Sequence, residues 1–430
     1  MILPGDACAA ALLFNAAARS VQCPNGSSER ERDRTARAPY QQLPGPRLNP
    51  AHRSAASLLA ATIVNLPFGT LYAFSVLLKP VEALIGATRS EMSLVFGLTT
   101  VTLTAGMNLA PRLYRRLSPA TLALACGLSS GAGLWLAASA TSLVEFAIGY
   151  ALLFGPGAGV LFTVCQQAVN QTVTRSRGLA SGYVVSLYPL GAMLGAPILG
   201  WSIQAFGVRT ALWGLAGVVA AACAIAAALF RWTAIRTYDE AAAEVADVRH
   251  GRAFYFLVAV FFLAAAAGLM VLSQAAAIVQ SYGGATSFAV AATTFITGAV
   301  GAARIAGGWL VDHFSPARVA AGAHLCSLVG AVMLSLIPSP LVAACALGLI
   351  GAGYGFVSGL VAGAIARYWH KNEFGAIASR LYIAWCAAAI SFPVVAGALF
   401  DRTGDYASAV LAAGGINMLG VLVARGLPAR

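Results

Sequence analysis

From Ser54 onward the chain runs as twelve apolar stretches of roughly 20 to 28 residues, at about 54–79, 91–110, 119–140, 143–168, 178–205, 208–231, 252–280, 286–310, 317–337, 340–366, 376–400 and 406–425. As helices rising 1.5 Å per residue, each is long enough to cross about 30 Å of hydrocarbon. The pattern predicts an all-α integral membrane protein with twelve transmembrane helices. The one long polar interruption within it, 232–251, carries Asp239, Glu240, Glu244, Asp247 and Arg249 and divides the spans six and six. The predicted organisation is a tail (1–53), a six-helix bundle (54–231), a linker (232–251), a second six-helix bundle (252–425) and a short end (426–430).

Composition agrees with this reading. Hydrophobic residues make up 59% of the 430 positions and charged residues only 10%, whereas a soluble domain carries about a quarter of its residues charged. A soluble enzyme, a nucleic-acid binder and a secreted disulfide scaffold are thereby excluded. The tail differs from the rest: it holds seven arginines and six prolines with no sustained apolar run, the composition of a disordered segment. Residues 7–18 resemble a weak signal-peptide core but lack a preceding positive region, so the tail is expected to be cytosolic or to follow a start placed too early.

The net charge of +12 follows from topology. With the N-terminus inside, 22 Lys and Arg fall on the cytosolic side and four on the other, which places both termini in the cytoplasm and the chain in a plasma (inner) membrane, with no nucleic-acid partner. The eight cysteines are scattered without a CxxC pair and read as apolar fillers rather than metal ligands. There is no GxxxxGK[ST] phosphate loop and no gathered Ser, His and Asp, so neither ATP-driven transport nor enzyme chemistry is expected, and no cofactor. His324, in the ninth span, reads as a core histidine.

The halves match at an offset of 197 residues: Leu113 with Leu310, Ser118-Pro119-Ala120 with Ser315-Pro316-Ala317, Gly178 with Gly375, Gly200 with Gly397, and Gly207 with Gly404. Paired six-helix repeats of this kind build rocker-switch transporters, whose site lies between the halves near the bilayer midplane.

The run Gly308-Trp309-Leu310-Val311-Asp312-His313-Phe314-Ser315-Pro316-Ala317-Arg318 resembles the short cytosolic loop signature of the major facilitator superfamily. Its first-half copy, Pro111 to Pro119, is degenerate, with Arg115 where the family has its aspartate. The resemblance implies gating roles for Gly308, Asp312 and Arg318, and for Arg116 in the degenerate copy. Within the superfamily, Gly69-Thr70-Leu71-Tyr72-Ala73-Phe74-Ser75-Val76 and Arg177-Gly178-Leu179-Ala180-Ser181-Gly182 are similar to segments of the oxalate/formate antiporter and monocarboxylate porter group.

Arg304 lies eight residues before Asp312 and so about 12 Å deep in the eighth span. Burying an arginine there costs roughly 2.5 to 3.5 kcal/mol unless it meets water, a carboxylate or carbonyls, and no acidic residue lies at comparable depth. A small organic anion is the natural partner for its bidentate donors; bonding to backbone carbonyls or hydroxyls of a neighbouring helix is the alternative. The resembled group carries its substrate-binding arginine at this position, and the resemblance transfers that role to Arg304. The group's second cation, a lysine in the eleventh span, is missing, and its place falls near Trp385 in Tyr382-Ile383-Ala384-Trp385. That loss points to a monocarboxylate or a larger aromatic anion. Trp385 pairs with Tyr188 at the repeat offset, and the two either sandwich an apolar substrate body or pack helix on helix. Tyr72, Tyr382, Asn108 and Gln166 are further candidate lining residues. Gly155-x-x-x-Gly159, Gly191-x-x-x-Gly195, Gly351-x-x-x-Gly355 and Gly359-x-x-x-Gly363 permit close helix approach.

The expected function is transport of a small organic anion by alternating access, by exchange or uniport because no mid-span carboxylate offers proton coupling. A polyspecific exporter and a non-transporting sensor on the same fold are the alternatives. The expected partners are the substrate and membrane lipid, and the expected working form is a monomer.

Overall fold

In a computed structural model of the chain, residues 49–238, 251–337 and 339–428 are described; the tail before Asn49 and the acidic part of the linker lie outside them. Twelve helices are long and apolar enough to cross a bilayer: Pro50–Ile85, Glu91–Leu113, Pro119–Ser139, Leu143–Thr172, Arg177–Phe206 and Val208–Trp232 in the first half, and Arg252–Leu272, Thr286–His313, Pro316–Leu336, Pro340–Tyr368, Phe374–Thr403 and Ala407–Ala424 in the second. These are called the first to twelfth spans. The end of the bundle at which the first span begins and the sixth ends is called the linker end.

Helix boundaries follow local chemistry. The first span starts at Pro50, four residues before the expected position, because Asn49 caps it: its side chain accepts the Ala51 N–H at 3.1 Å and Pro50 needs no N–H partner. Ser118-Pro119 and Ser339-Pro340 open the third and tenth spans in the same way. Gly207 and Gly404 are equivalent at the 197-residue offset, and both turn the chain with positive φ, +82° and +75°. Both glycines thus take a positive φ that favours glycine at the same point of the repeat, with ψ differing between them, 161° at Gly207 and 0° at Gly404.

Three spans depart from regular helix. The first is interrupted at Thr70–Ala73 by a 3-10 turn that follows Pro67, and the fourth contains a π segment, Ile148–Phe154. The seventh, expected to run from 252 to 280, ends at Leu272; the chain breaks at Ser273-Gln274 and resumes as a short helix, Ala275–Ser281. Ser273 turns its hydroxyl back onto the Met270 carbonyl at 3.2 Å, and Gln274 leaves helical geometry, so a polar pair ends the run that apolar content alone would continue.

Within each half, glycine positions set the distance between spans. A Cβ on Gly155, Gly159, Gly191, Gly359 or Gly363 would overlap a neighbouring helix, and one on Gly195, Gly351 or Gly355 would come within 3.0 Å of one; all four small-residue spacings read from the sequence are helix-packing seams. Between the halves, the fifth span packs on the eighth and tenth, and the eleventh on the second and fourth. Leu128, Trp135, Val218, Leu325 and Leu411 of the third, sixth, ninth and twelfth spans are exposed, as side chains facing lipid are. His324 is buried and hydrogen-bonded to Asn417 at 2.9 Å, away from the contact between the halves.

Candidate functional site

Arg304 is held from both sides by backbone. A Cβ on Gly182 of the fifth span would come within 2.5 Å of the Arg304 carbonyl oxygen, and one on Gly359 of the tenth span would overlap it. Two helices therefore press on the eighth at this residue, fixing where its side chain starts. The side chain is 5% exposed. Its Nη1 donates to the Val185 carbonyl of the fifth span at 2.9 Å, and its Nη2 to the Tyr354 hydroxyl at 3.3 Å. The guanidinium carbon lies 5.5 Å from the centre of the Tyr354 ring, within cation–π range. Nε has no hydrogen-bond partner. One corner of the guanidinium is thus anchored, while the Nε/Nη2 edge, which is the edge that receives a carboxylate side-on, holds one long bond and one unused donor.

Aromatic rings enclose this cation. Trp385 Nε1 donates to the same Tyr354 hydroxyl at 2.7 Å, so that oxygen accepts twice and keeps its own hydrogen to donate. Tyr72 stands between the two residues paired by the repeat, its ring 5.6 Å from Tyr188 and 6.2 Å from Trp385, and its hydroxyl is within hydrogen-bonding reach of Arg304. Tyr382 lies 6.1 Å from Trp385, with Phe162 and Phe261 edge-on to it at 5.4 and 5.6 Å. Gln166 adjoins the Tyr382 hydroxyl, is 3% exposed and leaves its Nε2 without a partner. The first, fourth, fifth, seventh, eighth, tenth and eleventh spans all contribute to one cluster.

The structure therefore brings together Arg304, Tyr72, Trp385, Tyr382, Tyr188 and Gln166. Asn108 falls outside: its amide bridges the Thr104 and Ser379 carbonyls, each at 2.9 Å, and serves as a bond between the second and eleventh spans. Tyr188 turns its hydroxyl onto the Ala158 carbonyl of its own half at 3.1 Å, so its ring, and not its oxygen, faces the cluster. Tyr354, Phe162 and Phe261 join the cluster without a place among the residues singled out from sequence. Tyr354 had a signal available, since it is a lone hydroxyl in the glycine-rich run Gly351-Ala352-Gly353-Tyr354-Gly355. Gly268 of the seventh span provides the space its ring occupies.

At the linker end, Asp312 joins the halves. Its two carboxylate oxygens accept the N–H groups of Gly178 and Leu179, each at 2.9 Å, at the start of the fifth span, where unpaired N–H groups and the helix dipole favour an anion. Gly308 lies directly against Gly178. Arg318 and Arg116 are exposed. Cross-half hydrogen bonds run from mid-span, where Cys386 Sγ meets the Thr100 carbonyl at 3.7 Å, to this end, so the linker end is sealed. Among the described residues no three His, Cys, Asp or Glu side chains come together as a metal site.

Residues 58–393 match the family model of the Major Facilitator Superfamily. An uncharacterized MFS-type transporter of Escherichia coli (strain K12), YhjX, is 25% identical over 300 residues, covering 66% of this chain and 72% of its own. Monocarboxylate transporter 13 of Rattus norvegicus is 25% identical over 147 residues, 34% of each chain. Among solved structures, the proton:xylose symporter XylE superposes with a TM-score of 0.67 at 14% identity, covering 87% of this chain and 95% of its own. The human organic anion transporter MFSD10 superposes with a TM-score of 0.65 at 14% identity, covering 88% and 100%. Family model, internal repeat and helix order agree, and the chain belongs to the Major Facilitator Superfamily of transporters.

Proposed function

We propose that this transporter carries a small organic anion, a monocarboxylate with an apolar body, bound at Arg304 midway between the halves. The observation that carries this reading is the unfilled Nε/Nη2 edge of a buried guanidinium whose protein partners are a carbonyl and phenol hydroxyls rather than a carboxylate. Removing that charge from water costs several kcal/mol, and an anion that docks side-on offsets the cost with two charge-assisted hydrogen bonds. Tyr354 and Gln166 add neutral donors, and the rings of Tyr72, Tyr382 and Trp385 surround an apolar body. Since no second cation faces Arg304 from the eleventh span, a dicarboxylate would leave one charge unpaired. Similarity to a monocarboxylate transporter agrees with an anionic cargo, while the organic anion transporter and the sugar symporter, each 14% identical, share the fold alone.

In this reading the linker end faces the cytosol of an inner membrane, and the cross-half hydrogen bonds at that end close the path on the cytosolic side. An empty site keeps an unpaired positive charge that disfavours closing the far end; a bound anion neutralises it and lets the halves rock. Exchange or uniport then outpaces net proton-linked uptake.

The test is thermal-shift titration of the full chain in nanodiscs with aliphatic and aromatic monocarboxylates, a dicarboxylate and the matching neutral amides. Monocarboxylates should stabilise the wild type, amides should not, and Arg304→Gln should abolish the effect. Stabilisation by cationic or neutral drug-like compounds alone would overturn the reading in favour of a polyspecific exporter. In proteoliposomes, preloaded substrate should accelerate uptake of labelled substrate even with a protonophore present; binding without flux would identify a sensor.

A further inference from the structure

The fifth and eleventh spans have repeat-equivalent glycines, Gly178 and Gly375, as their second residues, and neither span is capped by a side chain of its own preceding loop. The first N–H groups of a helix have no partners within it. In the fifth span Asp312 supplies them from the other half. In the eleventh span the residue equivalent to Asp312 is Arg115, which has no acceptor to offer; its guanidinium lies 5.1 Å from the ring centre of Tyr238 at the start of the linker. The missing acceptor comes from a different helix. Gly375 N–H donates to Gln167 Oε1 of the fourth span at 3.0 Å. Gln167 is fully buried, and its Nε2 donates to the Lys371 carbonyl and to the Thr237 carbonyl, each at 2.9 Å. One amide thus binds the fourth span to the start of the eleventh, to the loop before it and to the first residues of the linker. Asn170 and Gln171, on the same helical face, extend the joint by donating to the Lys371 carbonyl at 3.3 Å and to Asn372 Oδ1 at 2.9 Å.

We propose that Gln167 is the first half's linker-end gate, a neutral substitute, supplied from the fourth span, for the aspartate that its loop has lost. The inference does not depend on the substrate, and it draws on alternating access only for its consequence. When the joint at Gln167 opens, its hold on the Thr237 carbonyl opens with it, so the linker is released in the same step as the fourth and eleventh spans part.

The experiment reads opening of the linker end directly, without a substrate. Ser379, 2% exposed in the seam between the second and eleventh spans, is replaced by cysteine in a full-length protein whose Cys8, Cys23, Cys326, Cys345 and Cys386 are changed to serine, and its maleimide labelling rate is measured in nanodiscs against the same background without the Ser379→Cys change. Gln167→Met, which keeps side-chain volume and removes the hydrogen bonds, should raise the rate roughly five- to tenfold, the population shift produced by losing one to two net hydrogen bonds. Adding Arg115→Asp to Gln167→Met should bring the rate back towards wild type, because the carboxylate returns to the place it holds in the other half. A residue that only fills space would not be rescued in this way. An unchanged rate in Gln167→Met overturns the gate, and a raised rate that Arg115→Asp fails to lower overturns the substitution. Should Gln167→Met not reach the membrane folded, Gln171→Leu at the rim of the same joint should raise labelling about twofold, and an unchanged rate there overturns the proposal.

Discussion

The second and eighth spans occupy the same place in the two halves, and their backbones are docked alike. Gly159 abuts the Leu103 carbonyl of the second span as Gly355 abuts the carbonyl of Val300, the repeat equivalent of Leu103, in the eighth. Their chemistry is not alike. Met107 stands where the eighth span has Arg304, and Arg115 where it has Asp312; Met107 and Arg304 are both buried, at 2% and 5% exposure. The repeat has therefore kept helix packing in two copies and a buried cation in one, and the first half faces the cluster around that cation with rings from Tyr72, Tyr188 and Phe162.

The most direct way to break this comparison is to move the charge. In the double variant Arg304→Met/Met107→Arg, carboxylate affinity should fall about 100-fold, as far as in Arg304→Met alone, because the value of two charge-assisted bonds is lost. The second-span position offers no hydroxyl in place of Tyr354, whose repeat equivalent is Gly157. Binding isotherms for a single monocarboxylate decide the matter; recovered affinity in the swapped protein would mean that any cation at this depth suffices. A middle-sized effect sharpens the comparison. Gly159→Ala and Gly359→Ala each force a methyl against backbone and should each cost about 1–3 kcal/mol of stability, seen as a lower unfolding temperature. Only Gly359→Ala should also weaken anion binding, since it alone displaces Arg304. The smallest effect is expected for Tyr354→Phe, which removes the hydroxyl shared by Arg304 and Trp385. Carboxylate affinity should drop about fivefold with little change in unfolding temperature.

What could be read from sequence was whatever leaves a local or periodic mark. Membrane-length apolar runs gave twelve spans, the offset of 197 gave the repeat that Gly207 and Gly404 mark with a positive φ in each half, and Arg304 stood out because a charge in an apolar run demands a reason. What remained hidden depends on which helices meet. Nothing near Gln167 in the chain announces that its amide faces Gly375, 208 positions away. Tyr354 is chemically ordinary until Arg304 and Trp385 converge on its oxygen. Asn108 is the converse case: a polar residue at a plausible depth reads as a lining residue or as an interhelical bond, and its amide donates to two carbonyls. The break at Ser273-Gln274 escapes a reading of apolar runs, because two polar residues barely dilute the run while the Ser273 side chain competes for its backbone acceptors.

The 3-10 turn at Thr70–Ala73 places Tyr72 on the mechanically softest stretch of the first span. With its tighter winding and poorer bond alignment, such a turn resists rewinding less than the α-helix on either side, and Pro67 has already removed one rung of the ladder just before it. The first span is therefore two stiff rods joined by a compliant coupling, and that coupling carries the ring standing between Tyr188 and Trp385. Torque applied to the far-end rod is taken up at Tyr72 before it reaches the rod on the linker side, so the ring can follow the shape of its neighbours without dragging the whole helix with it.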